Sequence, residues 1–357
     1  MESKAKKILI INNGLAGGGI ERASSSLANY FFDSGYQVSV LALYQDKLVF
    51  QLRLGITFIE PNFSRDKNGR VFYILKLLKF IRKEVKRINP DTILAFSEWT
   101  NPYVLIALAG LSYPVYVSDR MNPLARLPFI SELLKKLTYP MASGIIAQTY
   151  FAKKVIERNT GAKKIFVINN PVNIIIPTID WPGKLILSVG RLSPEKGHKF
   201  LISAFAQIEH LDTWKLGLVG DGSEKENLEN LTKSLGIENR VEFYGHLSDF
   251  SKPLTQSSIF VLPSLKEGFP NALIEAMAMG KACISSDFFE GDNEIIQHKE
   301  NGLLFQPGNV NELKEALNLL IMNSDLRIKI GLKASEIGPK LAFPKIANEY
   351  LNVIFNR

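Results

Sequence analysis

The chain has 357 residues, 46% of them hydrophobic and 22% charged, the make-up of a globular protein long enough for two cores. Its one cysteine, Cys283, excludes a disulfide framework and a thiolate metal cluster. The formal charge of +8 is uneven: residues 1–170 hold 24 Lys and Arg against 12 Asp and Glu, and the remainder 19 against 23. The first half is therefore the one suited to an anionic ligand or surface.

The N-terminus, MESKAKKILIINN, joins a charged start to an apolar run of strand length only, so no signal peptide is expected. KILIIN (7–12) leads into the glycine-rich LAGGG, after which Ile20, Ala23, Leu27 and Phe31 recur at helical spacing. VSVLALY (38–44), ITFIE (56–60), TILAFS (92–97), PVYVSD (114–119), GIIAQT (144–149) and IFVINN (165–170) read as further strands. Most are almost wholly apolar, as strands covered on both faces must be, and helical segments separate most of them. The longest apolar stretch, 104–117, is broken by Gly110, Ser112 and Pro114 and is too short to span a bilayer.

A break follows at NPVNIIIPTIDWPG (170–183), with three prolines and no helical period. It divides the chain into a first domain of residues 1–172, a linker of 173–183 and a second domain of 184–340. In the second domain KLILSVG (184–190), KLGLVG (215–220), VEFYG (241–245), IFVLPS (259–264), ACISSD (282–287) and LLF (303–305) read as strands. Helices are expected at about 197–209, 223–235, 271–279 and 311–322. The tail, 341–357, sets Ile346, Tyr350, Leu351 and Ile354 on one face and is expected to pack back on the first domain as a helix. The fold class is α/β, two Rossmann-like domains facing a cleft.

In parallel sheets ligands bind where strand C-termini meet helix N-termini, and four stretches lie at such junctions. In AGGGIER (16–22) glycines and a helix N-terminus offer backbone N–H groups to an anion, although a tight packing turn is the plainer reading of that motif alone. It is not G-x-G-x-x-G, and the next strand ends in Tyr44 and Gln45 rather than an acid, which disfavours a dinucleotide dehydrogenase. SVGRLSPEKG (188–197) places Arg191 and Lys196 five apart before a helix, where both can reach one anionic group unless they are merely solvated. VSDRMNP (117–123) brings Asp119 and Arg120 to the end of a strand, as site residues or as a structural ion pair.

The fourth stretch is EGFPNALIE (267–275). Asn271 is expected to cap the helix that Gly280 stops, with Glu267 before it and Glu275 in its second turn. Between the carboxylates lie the N–H groups of Asn271, Ala272 and Leu273, an anion site. Two carboxylates around an anion site suit a ligand with phosphate in the middle and hydroxyls at both ends, a sugar nucleotide.

Taken together, GGGIER, GRLSPEKG, VGDG (219–222), the E-x7-E segment EGFPNALIE and NGLLFQPGN (301–309) resemble glycosyltransferase family 4, retaining enzymes of GT-B architecture, over nearly the whole chain. The resemblance implies that Gly19, Arg191, Lys196 and the amides of Asn271, Ala272 and Leu273 hold the donor diphosphate. It places Glu275 on the ribose, Leu247 at the base, Glu267 on the transferred sugar, and Glu21 and Arg22 where the acceptor enters. Arg120 is assigned with them to the acceptor. Many relatives carry a histidine after the fifth strand, where this chain has Ser-Asp-Arg; Asp119 or a neighbour is expected in its place, or the donor's own phosphate takes the acceptor proton. Pro270 supplies no N–H where some relatives have glycine. No Asp-x-Asp lies near a strand end, and no metal or other cofactor is expected.

The resemblance implies a nucleotide-sugar donor, UDP favoured, and a lipid-linked saccharide acceptor in surface-polysaccharide, lipopolysaccharide or glycoprotein-glycan assembly. RVFYILKLLKFIRKEVKRI (70–88) and ARLPFISELLKKLTYP (125–140) are basic and amphipathic, and a peripheral position on the inner face of the cytoplasmic membrane is expected through them. A Rossmann helix packed on its sheet is the competing reading of the first. Three rivals remain: a non-catalytic sugar-nucleotide-binding subunit, a sugar-nucleotide epimerase or phosphorylase of similar form, and a nucleic-acid-binding protein. The last is disfavoured, since no reading module is visible and the second half is acidic.

Overall fold

The structure, a computed structural model, describes residues 5–15, 18–45, 49–64, 69–172, 183–208, 213–289, 291 and 293–355. The chain divides into two compact units, one of Met1–Asn169 with Pro344–Arg357 and one of Asn170–Phe343. Residues 173–182 of the expected linker lie outside the described residues.

In the first unit seven strands, β1 (Lys7–Asn12), β2 (Gln37–Ala42), β3 (Thr57–Ile59), β4 (Thr92–Phe96), β5 (Val115–Ser118), β6 (Gly144–Ala147) and β7 (Ile165–Val167), form one parallel sheet. Their order is β3-β2-β1-β4-β5-β6-β7. The connections carry α1 (Gly19–Asp33), α2 (Arg70–Ile88), α3 (Asn101–Leu108), α4 (Phe129–Thr138) and α5 (Tyr150–Thr160). Strands β4, β5 and β6 are buried at every position, which is why they are apolar runs rather than alternating ones. Helix α3 is apolar almost all round and buried, whereas α5 is punctuated at both ends. Thr149 Oγ1 accepts from Ala152 N at 2.9 Å, and Gly161 closes the helix in the left-handed region. Helix α2 sends Tyr73, Leu77, Ile81 and Val85 into the core, the packed arrangement weighed for residues 70–88.

The second unit repeats the plan with β8 (Leu185–Val189), β9 (Lys215–Val219), β10 (Val241–Gly245), β11 (Ile259–Leu262), β12 (Ala282–Ser286) and β13 (Leu303–Phe305), parallel in the order β10-β9-β8-β11-β12-β13. Its helices are α6 (His198–Ala206), α7 (Lys225–Ser234), α8 (Ser251–Gln256), α9 (Asn271–Ala278), α10 (Val310–Met322), α11 (Ser324–Ser335) and α12 (Ile337–Lys340). The last helix, α13 (Phe343–Ile354), belongs to the first unit but for its first residue. There Tyr350 hydroxyl meets Arg120, and Phe355, just past the helix, stacks on Tyr36 with ring centroids 5.4 Å apart.

Every strand segment expected from the sequence is present within three residues of its expected ends. In the tail, 341–357, one helix forms, α13; just before it Val172 N donates to Leu341 O at 2.8 Å and residues 172 and 342 make a single β-bridge. In each sheet the strand order reverses beside the first strand, between β1 and β4 and between β8 and β11. Such reversals open a crevice at the strand C-termini.

Candidate functional site

In the second unit the loops after β8 and β11 flank the reversal. After β8, Arg191 is exposed, and Pro194–Lys196 make one 3-10 turn that ends at Gly197 with φ +68. A Cβ at Gly197 would lie 2.1 Å from Pro263 O, so only glycine lets this turn lie against the end of β11. Leu265 N donates to Glu195 O at 2.8 Å and fastens the two loops together. Lys196 Nζ thereby comes within 2.6 Å of Glu267 Oε1, and Ser264 Oγ donates to the same oxygen at 2.7 Å. The side chains are 25% and 8% exposed, so the pair is largely desolvated. His198 begins α6 immediately behind; burial, with Lys196 beside it, pushes it down to about 4, so its ring is neutral near pH 7.

The start of α9 corrects one expectation. Pro270, not Asn271, is the N-cap, and the Asn271 amide is not free: it donates to Phe269 O at 3.0 Å. Pro270 has no N–H, and the chain tightens one residue earlier than a capping asparagine would allow. The Asn271 side chain instead accepts from Asn170 Nδ2 at 3.0 Å. Ala272 and Leu273 supply the open amides of this helix end among the described residues. Glu275 stands half-buried in the second turn of α9, and Gly280, φ +76, follows its end. Leu247 lies half-buried in the loop after β10.

In the first unit Gly19 opens α1 with Glu21 and Arg22 in its first turn; residues 16–17 of the glycine-rich turn lie outside the described residues. At the β1–β4 reversal Asn13 Nδ2 donates to Ser97 Oγ at 3.1 Å, and Thr100 Oγ1 donates to Asn13 Oδ1 at 2.9 Å. Ser97 is buried in the left-handed region, φ +97, a conformation that a non-glycine residue keeps only where its surroundings demand it. The next residue, Glu98, was not among the residues expected from the sequence. One of its oxygens, Oε1, accepts from the backbone amides of Arg120 and Met121, while Oε2 is buried without a partner. Burial first, and then the Asp119 charge, push Glu98 up to about 7.

Asp119 is not the open carboxylate that its place in the sequence suggests. It is buried, with Oδ2 taken by Lys135 Nζ and Oδ1 by the hydroxyl of Tyr139, which burial and this carboxylate hold well above the usual phenol range. Lys135, on α4, and Tyr139, just past it, make this a structural network. Arg120 is packed as well: its guanidinium lies over the Phe96 ring at 5.6 Å and reaches Tyr350 hydroxyl at 3.4 Å. The structure therefore joins Asp119 and Arg120 to Glu98, and Lys196 to Glu267. A glutamate directly after the apolar TILAFS strand was the one available signal for Glu98. Among the described residues no three His, Cys, Asp or Glu side chains are grouped to hold a metal ion.

A chain from Haemophilus influenzae described as an uncharacterized glycosyltransferase is 30% identical over 361 residues, covering 98% of this chain and 100% of that one. Two family models match in succession, "Glycosyltransferase Family 4" over residues 17–174 and "Glycosyl transferases group 1" over 175–336. The chain belongs to glycosyltransferase family 4. A Campylobacter jejuni relative of this glycosyltransferase is 25% identical over 356 residues, 98% of each chain. It is described as a GalNAc-alpha-(1->4)-GalNAc-alpha-(1->3)-diNAcBac-PP-undecaprenol alpha-1,4-N-acetyl-D-galactosaminyltransferase. The fold is of the GT-B type: Anabaena HepE, solved with UDP, superposes with a TM-score of 0.83 at 21% identity over 98% of this chain and 100% of that one. A glycosyltransferase from Rickettsia africae gives 0.83 at 22% identity over 99% of each.

Proposed function

We propose that this glycosyltransferase moves a hexose or N-acetylhexosamine from a UDP-sugar, with retention, to a lipid-linked saccharide in the assembly of a bacterial surface polysaccharide, lipopolysaccharide or glycoprotein glycan. The observation that carries the reading is the Lys196–Glu267 contact at the β8–β11 reversal, beside the open amides of α9. Arg191, Lys196 and those amides hold the diphosphate; Glu267 receives hydroxyls of the transferred sugar and Glu275 those of the ribose, with Leu247 at the base. In the reaction the bond from the anomeric carbon to the diphosphate breaks with its electrons on the leaving group. The acceptor oxygen bonds to the same face, and its proton passes to the departing phosphate. Positive groups fixed around that phosphate stabilise the charge as it develops, and no metal is required.

The relatives' names support the acceptor class: the Campylobacter protein is named for an undecaprenyl-diphosphate saccharide, and another relative as an amylovoran biosynthesis glycosyltransferase from Erwinia amylovora. Among the described residues no helix is long and apolar enough to cross a membrane. A lipid-linked acceptor is met by docking on the inner face of the cytoplasmic membrane. Helix α4 supports this, since Ser131 and Thr138 point inward while Phe129, Ile130, Leu133 and Leu137 are exposed beside Lys136. On α2 only the first turns, with Val71, Phe72 and Leu75, expose apolar groups in the same way.

The test is thermal stabilisation by a panel of nucleotides and nucleotide sugars with a chelator present. A shift with UDP and one UDP-sugar is expected. No shift with any nucleotide sugar would overturn the donor reading, and a shift that needs a divalent ion would overturn metal independence.

A further inference from the structure

Two loops at the C-terminal edge of the first unit's sheet invert the usual order of burial. After β4, Ser97, Glu98, Thr100 and Asn101 are buried, and Trp99 among them is 44% exposed. After β6, Gln148 and Thr149 are buried, and the next residue, Tyr150, is 60% exposed. In both loops the polar side chains are inside and the large ring is outside, which forgoes the gain that burying an aromatic ring brings.

Hydrogen bonds hold both loops in this order. Asn13 joins Ser97 to Thr100, and the left-handed Ser97 turns the chain just before the indole. Thr149 caps α5 through Ala152 N, which fixes Tyr150 as the first residue of the helix. Strand register sets the two aromatic residues at one level. Phe96 pairs with Ser118 and Ser118 with Ile146, and Trp99 and Tyr150 follow that line by three and four residues. Their strands lie two places apart in the sheet, about 10 Å, which is of the order of a disaccharide's length. Between them β5 ends in a loop that carries the half-buried Arg120 and Asn122.

Two separate rings with polar side chains between them suit a ligand in which flat apolar faces alternate with hydrogen-bonding edges. A hydrocarbon chain lacks the edges and is matched instead by the continuous apolar face of α4. A nucleobase offers one stacking face for two rings. An oligosaccharide has the required alternation: each pyranose turns a face of C–H groups to an electron-rich ring and keeps hydroxyls at its rim.

We propose that Trp99 and Tyr150 are two stacking platforms of an acceptor site in the first unit, each carrying the C–H face of one pyranose of an oligosaccharide. The inference rests on the reading of the acceptor as a saccharide and deepens it, since such an acceptor presents at least two sugar residues. Both aromatic residues determine acceptor specificity, and neither has a part in the bond-making step.

The experiment is ligand-observed NMR titration of the full chain, with UDP present, by maltose, lactose and N,N'-diacetylchitobiose and by glucose, galactose and N-acetylglucosamine. UDP stabilisation and co-sedimentation with anionic vesicles are recorded for each variant. At least one disaccharide is expected to bind about fivefold tighter, or more, than its monosaccharide, with C–H protons shifted upfield by the rings. Trp99→Ala and Tyr150→Ala are each expected to reduce that affinity to the monosaccharide level, and Trp99→Phe to retain most of it, while UDP stabilisation persists. Equal affinity for disaccharide and monosaccharide, or a disaccharide advantage untouched by either alanine substitution, would overturn the proposal and leave the saccharide acceptor standing. No saccharide binding at all would overturn both. Loss of the UDP response in Trp99→Ala would place the indole at the donor, and loss of vesicle binding with sugar binding intact would make the pair a membrane contact; either result overturns the proposal.

Discussion

Lys196 Nζ and Glu267 Oε1 lie 2.6 Å apart, joined across the loops that follow two neighbouring strands at a reversal of strand order. In the function proposed above both residues serve the donor, the lysine on phosphate and the carboxylate on sugar. Each neutralises the other while no donor intervenes, and Ser264 gives the carboxylate a second hydrogen bond. An ion pair with one nearly buried partner is stabilised less by its own attraction than it is destabilised when one member is removed.

Lys196→Ala therefore has two expected consequences. The Glu267 carboxylate loses its counter-charge, which lowers unfolding free energy by about 1–3 kcal/mol, below the full value for a buried pair because the lysine is partly exposed. UDP affinity falls about tenfold, the loss of one charge-assisted contact. Glu267→Ala should lower kcat by about a hundredfold or more with UDP affinity changed only a few-fold, the signature of a group acting mainly in the transition state. Calorimetric UDP titration and initial rates of transfer check both variants. Full turnover in Glu267→Ala would remove this carboxylate from the site.

Gly197 holds the loop that presents Lys196. With φ +68 and Pro263 O only 2.1 Å from where a Cβ would stand, Gly197→Ala must displace either the 3-10 turn or the end of β11. The expected result is a fall in stability of about 2 kcal/mol or more together with weakened UDP binding. Thermal melts with and without UDP measure it; an unchanged melting temperature would show that the loop is not held as described.

The strands were legible because their environment leaves a plain mark on composition: buried on both faces, TILAF and GIIA have no polar side to show. The loop that carries Arg191 and Lys196 ahead of a helix was legible for a similar reason, since the proline and glycine that shape it serve local needs. One miss was local: Asn271 has the propensity of a cap, but Pro270 beside it closes the turn first. The others depended on neighbours distant in sequence. Asp119 looks open until Lys135 and Tyr139 arrive from α4 and the turn after it, and Glu98 looks ordinary until the amides of Arg120 and Met121 bind it. In α4, helical periodicity marks two faces without saying which is inward, and here the small polar one is.

Ile130 and Leu137 are 65% and 62% exposed on α4. Replacing both with serine removes apolar surface without touching the Asp119 network. Transfer to water of two large exposed side chains is already complete in the unbound protein, so stability should change by less than about 1 kcal/mol. Co-sedimentation with vesicles containing anionic lipid should fall several-fold, and the remaining binding should be salt-sensitive through Arg126 and Lys136. Unchanged co-sedimentation would place the membrane contact elsewhere.

Glu98 makes the stability of the fold depend on pH in a direction opposite to that of a salt-bridged carboxylate. Its folded value, about 7, lies above the ordinary 4.5, because burial and Asp119 oppose its charge while the Met121 amide and Lys135 favour it. Between those values the folded state holds the proton that the unfolded chain has released, so unfolding free energy falls as pH rises from about 4.5 to about 7. The cost is absent below that window and fully present above it, and it amounts to at most about 3 kcal/mol. Glu98→Gln removes the titration and keeps an acceptor for the two amides. It is expected to unfold at higher denaturant than the unmodified protein at pH 8, with the gap closing by pH 5. Parallel denaturation midpoints for the two proteins across that range would show that Glu98 ionises no differently in the folded chain than in the unfolded one.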